Sequence, residues 1–432
     1  MAVREFVLVA FGISVGLAGC ALEIQQGIPD VRTPRVFATD AAWTWFNDER
    51  AVFVGPRLYI GYVDTSGLSA VSVANVDSDE APGAYRLSSF RQVDDHNNPA
   101  LLPLEDGRLL AAYAQHHVEP FSYWRLAEVR KDSLAWLPEQ RLGPLGAKTT
   151  YSNLFRLSEE DGRIYNFFRG FGFDPTFVTS DDGGANWKTP QYLIQSGDDD
   201  TRPYVKYVSD GKSRIDLLFT QAHPIGTETN VYHVFYRDGY LHRSDGTRIQ
   251  RLPGEDIGPM PVEAGTLVYD AGQAGRGWVW DLEYDTDGAP VAAFVAARDS
   301  TVGNDLRYRC ARWDEDAGRW QDREIAFAGT RLYEGENHYA GGITIDPSDT
   351  NVLYTSSDVH PATGDTTAHY QIYRGIIDGE STTWTVLTPG ATADNIRPFV
   401  TRGTERQALL WLRGVYTAYE NFDTDVVGLL DP

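Results

Sequence analysis

The chain predicts an all-β fold, a seven-bladed β-propeller, and three observations carry that prediction. The same hairpin is written seven times, an apolar stretch entering a Gly, Asp or Pro turn and a second apolar stretch leaving it. The turns recur at intervals of about 50 to 60 residues, once longer, the length of one four-stranded blade. Helical periodicity is hard to find, while runs such as Leu109-Leu110-Ala111-Ala112-Tyr113, Ile164-Tyr165-Asn166-Phe167-Phe168 and Ile215-Asp216-Leu217-Leu218-Phe219 are short and bounded by turns.

In chain order the turns fall at Gly55-Pro56, Asp106-Gly107, Asp161-Gly162, Asp210-Gly211, Asp287-Gly288, Asp349-Thr350 and Gly403-Thr404. A strand at Arg35-Val36-Phe37-Ala38 precedes the first hairpin and the last apolar stretch ends at Leu430. One N-terminal strand can therefore close the ring and leave no free edge. In a propeller, the residues entering and leaving each inner hairpin lie on one face near the axis. Here they are Trp45 and Asp64, His96 and His117, Tyr151 and Arg169, Arg202 and His223, Trp280 and Arg298, His338 and His360, and Arg397 and Arg413. A merely structural stretch would place Ser, Asn and Gly at these ends, so this mouth is the expected site.

The segment ahead of the ring reads as an export signal. Arg4 precedes an apolar run from Phe6 to Leu17 that is too short to span a bilayer. Leu17-Ala18-Gly19-Cys20 resembles the bacterial lipobox, which makes 1–20 a lipoprotein signal peptide and Cys20 the lipidated first residue of the mature chain. Residues 21–34 then form a polar tether and 35–432 the propeller. The expected product is a monomer at the bacterial cell envelope, on the outer-membrane, periplasmic or cell-surface side, touching membrane only through its lipid. A propeller grows by adding blades, so this length needs no second domain. Cys310, in the alternating run 306–312, reads as a packed strand residue, and no disulfide framework is expected.

The formal charge of −23 is spread along the chain, and lysine occurs only at Lys131, Lys148, Lys188, Lys206 and Lys212. Without a basic footprint, nucleic acid is excluded as a partner. An anionic polymer would need a locally basic site, because salt screens the bulk repulsion only beyond about 10 Å. No His-x-x-His or Cys pair has ligand spacing, so zinc is not expected and no cofactor is required. Asp-rich turns such as Asp198-Asp199-Asp200 suit a structural calcium, although a solvated acidic loop is the commoner explanation.

Ser180-Asp181-Asp182-Gly183-Gly184-Ala185-Asn186-Trp187 fits the Asp-box pattern Ser-x-Asp-x-Gly-x-x-Trp, in which Ser and Asp satisfy turn amides and Trp packs between blades. Together with His96-Asn97-Asn98-Pro99, Tyr151-Ser152-Asn153, the Arg169-Gly170 strand end and His223-Pro224 followed by Val231-Tyr232-His233, it resembles the BNR propellers that include ulvan lyases. The resemblance covers most of the mature chain and is best from Asp94 to Gly246. That group also holds rhamnosyl-glucuronate-cleaving enzymes, both lyases and hydrolases, so it implies fold more firmly than reaction.

The implied reaction is β-elimination on a uronate-containing, ulvan-like or rhamnosyl-glucuronate polysaccharide, and such a lyase needs a carboxylate neutraliser, a base and an acid. Arginine binds carboxylate bidentately and stabilises enolate-like charge, and by resemblance Arg169 takes that place. Histidine titrates near neutral pH, which makes His96 and His117 candidates for the C5 proton. Alternate strand residues face opposite ways, so only one of His116 and His117 is expected to point into the mouth, and by position His117 is preferred. Tyr151 matches the family's tyrosine at the bridging oxygen, and the division between base and acid stays open. Asn97, Asn98, Arg202, Tyr204, His223 and His338 are the expected substrate-binding residues, and an acidic polysaccharide or oligosaccharide the expected partner.

Taken singly, each has a plainer role: His96 capping a strand, or Arg169 bridging to Asp174. A sialidase is discounted because Ile396-Arg397-Pro398 stands at the wrong end and in the wrong order. A glycoside hydrolase acting on rhamnose-glucuronate linkages wants two carboxylates across the bond, and only Asp64 and Asp94-Asp95 stand at hairpin ends. A non-catalytic glycan-binding surface lipoprotein would not need the Tyr, Arg and His set.

Overall fold

The computed structural model describes residues 32–432 except 131–132, 197–200, 300–301 and 404–405. The expected signal segment with Cys20, the tether as far as Val31, Lys131, Asp198-Asp199-Asp200 and Thr404 lie outside the described residues.

Seven antiparallel sheets succeed one another along the chain as the blades of a propeller. Their inner hairpins pair Ala51–Val54 with Arg57–Val63, Ala100–Pro103 with Arg108–Ala114, Thr150–Leu157 with Arg163–Arg169, and Tyr204–Ser209 with Arg214–Thr220. The last three pair Arg276–Tyr284 with Pro290–Ala297, Gly342–Ile345 with Val352–Val359, and Asp394–Val400 with Ala408–Ala418. Among the described residues, every turn read from the sequence falls in one of these seven connections, with Gly107 and Gly288 supplying φ of +83° and +81°. The one long interval has a cause. Blade 4 adds Tyr240–His242, Arg248–Arg251 and Thr266–Tyr269 outside its third strand, Val231–Arg237. Arg35–Ala38 pairs antiparallel with Asn421–Leu430, so the N-terminal strand becomes the outer strand of blade 7 and closes the ring.

The Asp box behaves as its chemistry requires. Ser180 Oγ accepts from the Gly184 amide (3.0 Å), Asp182 Oδ1 accepts from the Asn186 amide (2.9 Å), and Trp187 meets Trp124 of blade 2 edge to face. Cys310 is a buried free thiol in a strand of blade 5.

The hub of the ring is the segment Trp43–Arg50, which is buried except for the half-buried Glu49, leads into blade 1 and bonds to five other blades or the loops entering them. Its Thr44 amide donates to Asn98 Oδ1 (3.0 Å) and Asn47 Nδ2 to the Asn98 carbonyl (2.6 Å), both ahead of blade 2. The Asp48 amide donates to Asn153 Oδ1 of blade 3 (3.1 Å). Lys206 of blade 4 donates to the Trp45 carbonyl (2.6 Å) and pairs with Asp48. Trp45 Nε1 donates to the Val279 carbonyl of blade 5 (3.0 Å), and its ring stacks on Trp280 at 4.0 Å. From blade 7, Arg397 donates to the Trp43 carbonyl (2.6 Å).

Arg397, one of the hairpin-end residues, is thus a tie and not a ligand for substrate. It is 1 % exposed, pairs with Asp95 and donates to the Tyr416 hydroxyl (2.7 Å). Burial alone would raise the Asp95 carboxyl, but the Arg397 and His96 charges outweigh it and hold that carboxyl far below its ordinary range.

Two consequences are measurable. Arg397→Leu leaves the Asp95 carboxylate buried without its cation, which costs about 3–5 kcal/mol, read as a lowered denaturation midpoint. The second concerns Glu49, whose carboxyl is pushed up to about 8 by burial and by Asp48, with Arg402 opposing. A carboxyl raised in the folded state loses its stability contribution as pH climbs from its unfolded value of 4.5 toward 8. Glu49→Gln removes that loss, so its thermal midpoint should gain on the wild type across this window; a difference independent of pH would show Glu49 ionised in the fold.

Candidate active site

The site begins with a short turn. Between blades 1 and 2, Asp95–Asn97 forms one turn of 3₁₀ helix capped by Asp94, whose carboxylate accepts from the His96 amide (3.0 Å). The same carboxylate holds two imidazoles. His96 donates from Nδ1 to Asp94 Oδ1 and His116 from Nδ1 to Asp94 Oδ2, each at 2.6 Å, and the two rings stack at 3.9 Å.

Two stacked imidazoles on one carboxylate titrate apart. Burial alone would lower His96, but Asp94 and Asp95 overcome it and raise it to about 9. Burial and then the charge on His96 lower His116 to about 4, against the pull of Asp94. Near neutral pH His96 is a cation and His116 is neutral, and with Nδ1–H committed to Asp94, its lone pair is on Nε2.

Backbone irregularities aim the large side chains. The first strands of blades 3, 5 and 7 break register at Tyr151-Ser152, Trp280 and Arg397-Pro398. Apart from aspartates, the described non-glycine residues at positive φ are His117 (+58°), Tyr151 (+70°), Phe173 (+68°) and Arg397 (+53°), and all four lie at this mouth or the hub beneath it. Such strain persists only where surrounding contacts over-determine it.

Tyr151 lies 5.5 Å from the His96 ring, and its hydroxyl is pushed well above its ordinary value, chiefly by burial, with Arg169 opposing. Arg169 is 6 % exposed and sits between two tyrosines, its guanidinium carbon 4.9 Å from the Tyr151 centroid and 4.3 Å from that of Tyr204. Among the described residues no carboxylate lies within ion-pair distance of it, and Nη2 is buried without a hydrogen-bond partner. The expected alternative partner, Asp174, instead accepts from the Tyr192 hydroxyl. A buried cation with a free donor has the chemistry to hold an anion.

The other expected residues divide. Tyr204 and His223 (5.3 Å apart) continue the wall with Trp278, and His338 meets His223 edge to face at 4.7 Å. Arg202 lies over Phe173 at 4.4 Å. Asn97 and Asn98 do not reach the mouth. Both are fully buried, Asn97 donating to the Gln92 carbonyl (3.1 Å) and Asn98 accepting from Thr44, because the 3₁₀ turn folds them beneath His96. The rule that only one of His116 and His117 can face the mouth is also corrected. The strand ends at Ala114 and His117 has positive φ, so alternation does not apply, and both stand there, His116 stacked on His96 and His117 edge-on to Phe173 at 4.4 Å. Asp64 caps its own turn, Arg298 pairs with Glu324, and His360 accepts from the Ala362 amide; none joins the cluster.

The sequence reading missed Tyr419, edge-on to the rings of His96 (5.1 Å) and His116 (5.5 Å), and Glu336 beside His223 and His338. Tyr419 follows the last inner hairpin and carries no local signal. Glu336 stands two residues before His338, a spacing that marks it only once His338 is known to face inward.

No curated protein sequence matches the chain. Among solved structures it resembles an ulvan lyase of polysaccharide lyase family PL25 bound to -[GlcA(1-4)Rha3S]-, with 14 % identity and a TM-score of 0.67 over 92 % of this chain and 96 % of that one. It also resembles the polysaccharide lyase Uly1, with 10 % identity and a TM-score of 0.59 over 89 % of each chain. At such identities the likeness is one of fold. A model of the BNR repeat-containing family matches residues 57–328, and with the seven blades in place the chain belongs to that family.

Proposed function

We propose that the protein is a polysaccharide lyase that cleaves a uronate-containing polysaccharide, ulvan-like or rhamnosyl-glucuronate in type, by β-elimination. The observation that carries this reading is Arg169, a buried cation without a carboxylate partner among the described residues, next to a neutral imidazole and a protonated phenol.

Arg169 takes the uronate carboxylate and stabilises the charge that spreads onto it as the C5–H bond breaks. His116 Nε2 receives that proton. The electron pair forms the C4–C5 double bond, the C4–O4 bond breaks, and O4 takes the proton of the Tyr151 hydroxyl. His96, held as an imidazolium by Asp94 and Asp95, adds positive potential and keeps His116 neutral by repulsion. The polar tether and lipidated Cys20 expected from the sequence would place this chemistry at the cell envelope.

Incubation with ulvan, rhamnogalacturonan, gum arabic and alginate should give rising ultraviolet absorbance from an unsaturated uronate on at least one of them. His116→Ala should lower kcat by about 10²- to 10⁴-fold, the usual contribution of a general base. Reducing ends released without absorbance would replace elimination by hydrolysis, and binding without either would leave a glycan-binding protein.

The pH profile is a separate test. Activity should fall on the acid side as His116 takes up its proton toward about 4, and on the alkaline side as His96 loses its proton near 9. Asp94→Asn removes the stronger of the carboxylates that raise His96, so the alkaline limb should move to lower pH. An unmoved limb would assign it to another group.

A further inference from the structure

A second cluster of side chains stands at the same mouth as the His96 and His116 pair. His223 follows the inner hairpin of blade 4, and Glu336 and His338 belong to the connection between blades 5 and 6. One ligand atom from each of the three lies within 4.8 Å of the other two. His338 Nε2 is 3.2 Å and His223 Nε2 3.6 Å from Glu336 Oε2. His338 is 2 % exposed, yet neither its Nε2 nor Glu336 Oε2 has a hydrogen-bond partner. Buried polar atoms are seldom left in that condition.

We propose that His223, Glu336 and His338 form a binding site for a divalent transition metal, with zinc the best fit. Two imidazole nitrogens and one carboxylate oxygen are the donor set of an open zinc site, which keeps its fourth position for water or substrate. Donors about 2.1 Å from a tetrahedral ion stand roughly 3.4 Å apart, which the 3.2 and 3.6 Å separations bracket. Calcium and magnesium prefer all-oxygen ligands, so the imidazoles select against them. The fully buried ligand is His338, while the side chains of His223 and Glu336 are 25 % and 18 % exposed, which leaves the open side toward the mouth. Trp278 walls the site edge-on to both rings, at 5.1 and 5.2 Å. Ligation through His223 Nε2 puts a proton on Nδ1, so the long contact from the Ile225 amide to Nδ1 (3.3 Å) is given up.

The Asp94, His96 and His116 group is a poorer site, because both imidazoles already spend Nδ1 on Asp94. Motif reading could not find the better one, since its ligands come from connections more than a hundred residues apart in sequence. The inference stands whether or not the chain is a lyase.

Protein dialysed against a chelator should bind one zinc ion per chain by titration calorimetry, take up cobalt with a visible absorption band, and show a raised thermal midpoint with either metal. Glu336→Gln and His338→Ala should each weaken zinc at least about 100-fold, since even outer-shell changes cost 10- to 100-fold. His116→Ala, which touches only the other cluster, should bind zinc as the wild type does. Failure of the wild type to bind zinc or cobalt overturns the proposal. So does binding that is unchanged in the folded Glu336→Gln protein, or binding lost in His116→Ala and kept in His338→Ala.

Discussion

The structure depends on a single constraint: the segment Trp43–Arg50 must be held by blades that are otherwise separate sheets. A blade satisfies its own backbone internally and meets its neighbours through apolar packing, which is non-directional and leaves the position of its inner edge to more specific contacts. The hub segment supplies that specification by placing buried donors and acceptors against blades 2, 3, 4, 5 and 7. A buried group left without its partner loses far more than a satisfied one gains, so each of these contacts fixes position more than it adds stability. The charges follow the same logic. Asp48 faces Lys206 and Asp95 faces Arg397, each cation coming from a different blade than its anion.

The mouth is built on that hub. The turn carrying Asp94, Asp95 and His96 is anchored from below by Asn98 and Thr44 and from the far side by Arg397, so the imidazole pair inherits the geometry of the ring. One carboxylate shared by two rings then separates their protonation. Whichever imidazole has more negative charge around it keeps the proton and, by repulsion, denies one to its neighbour. Asp95 decides the matter, because it lies 3.0 Å from His96 Nδ1 and adds its pull to that of Asp94. Arg169 is treated differently, flanked by aromatic faces where a carboxylate would have neutralised it. In a chain of formal charge −23, Arg169 and the His96 imidazolium are the local cations that the proposed anionic ligand requires.

The same mouth has a second wall of a different character. His223, His338 and Glu336 lie against Trp278 and Tyr339, where the titratable groups are sunk among aromatic rings. Basic and metal-ligating chemistry are thus gathered on one face by a fold whose blades each contribute a few side chains.

The periodic part of this architecture was legible in the sequence. Turn chemistry and alternating apolar strands are local, so seven hairpins, the closing strand and the Asp box could be read residue by residue. The side chains gathered at the mouth left a local mark too, since His96, Tyr151, Arg169, His223 and His338 stand at hairpin ends and Tyr204 opens a strand. What only the tertiary structure decided was which of them meet. A register break at Tyr151-Ser152 and a positive φ at His117 overrule the two-residue period, so that His116 reaches Asp94 while His117 stands at the same mouth. A single turn of 3₁₀ helix buries Asn97 and Asn98, and Arg397 is drawn into the hub by an aspartate some three hundred positions away. Local sequence determined the strands and the chemistry they carry; long-range packing around one buried segment determined which side chains share a site, because only the closed ring brings their blades together.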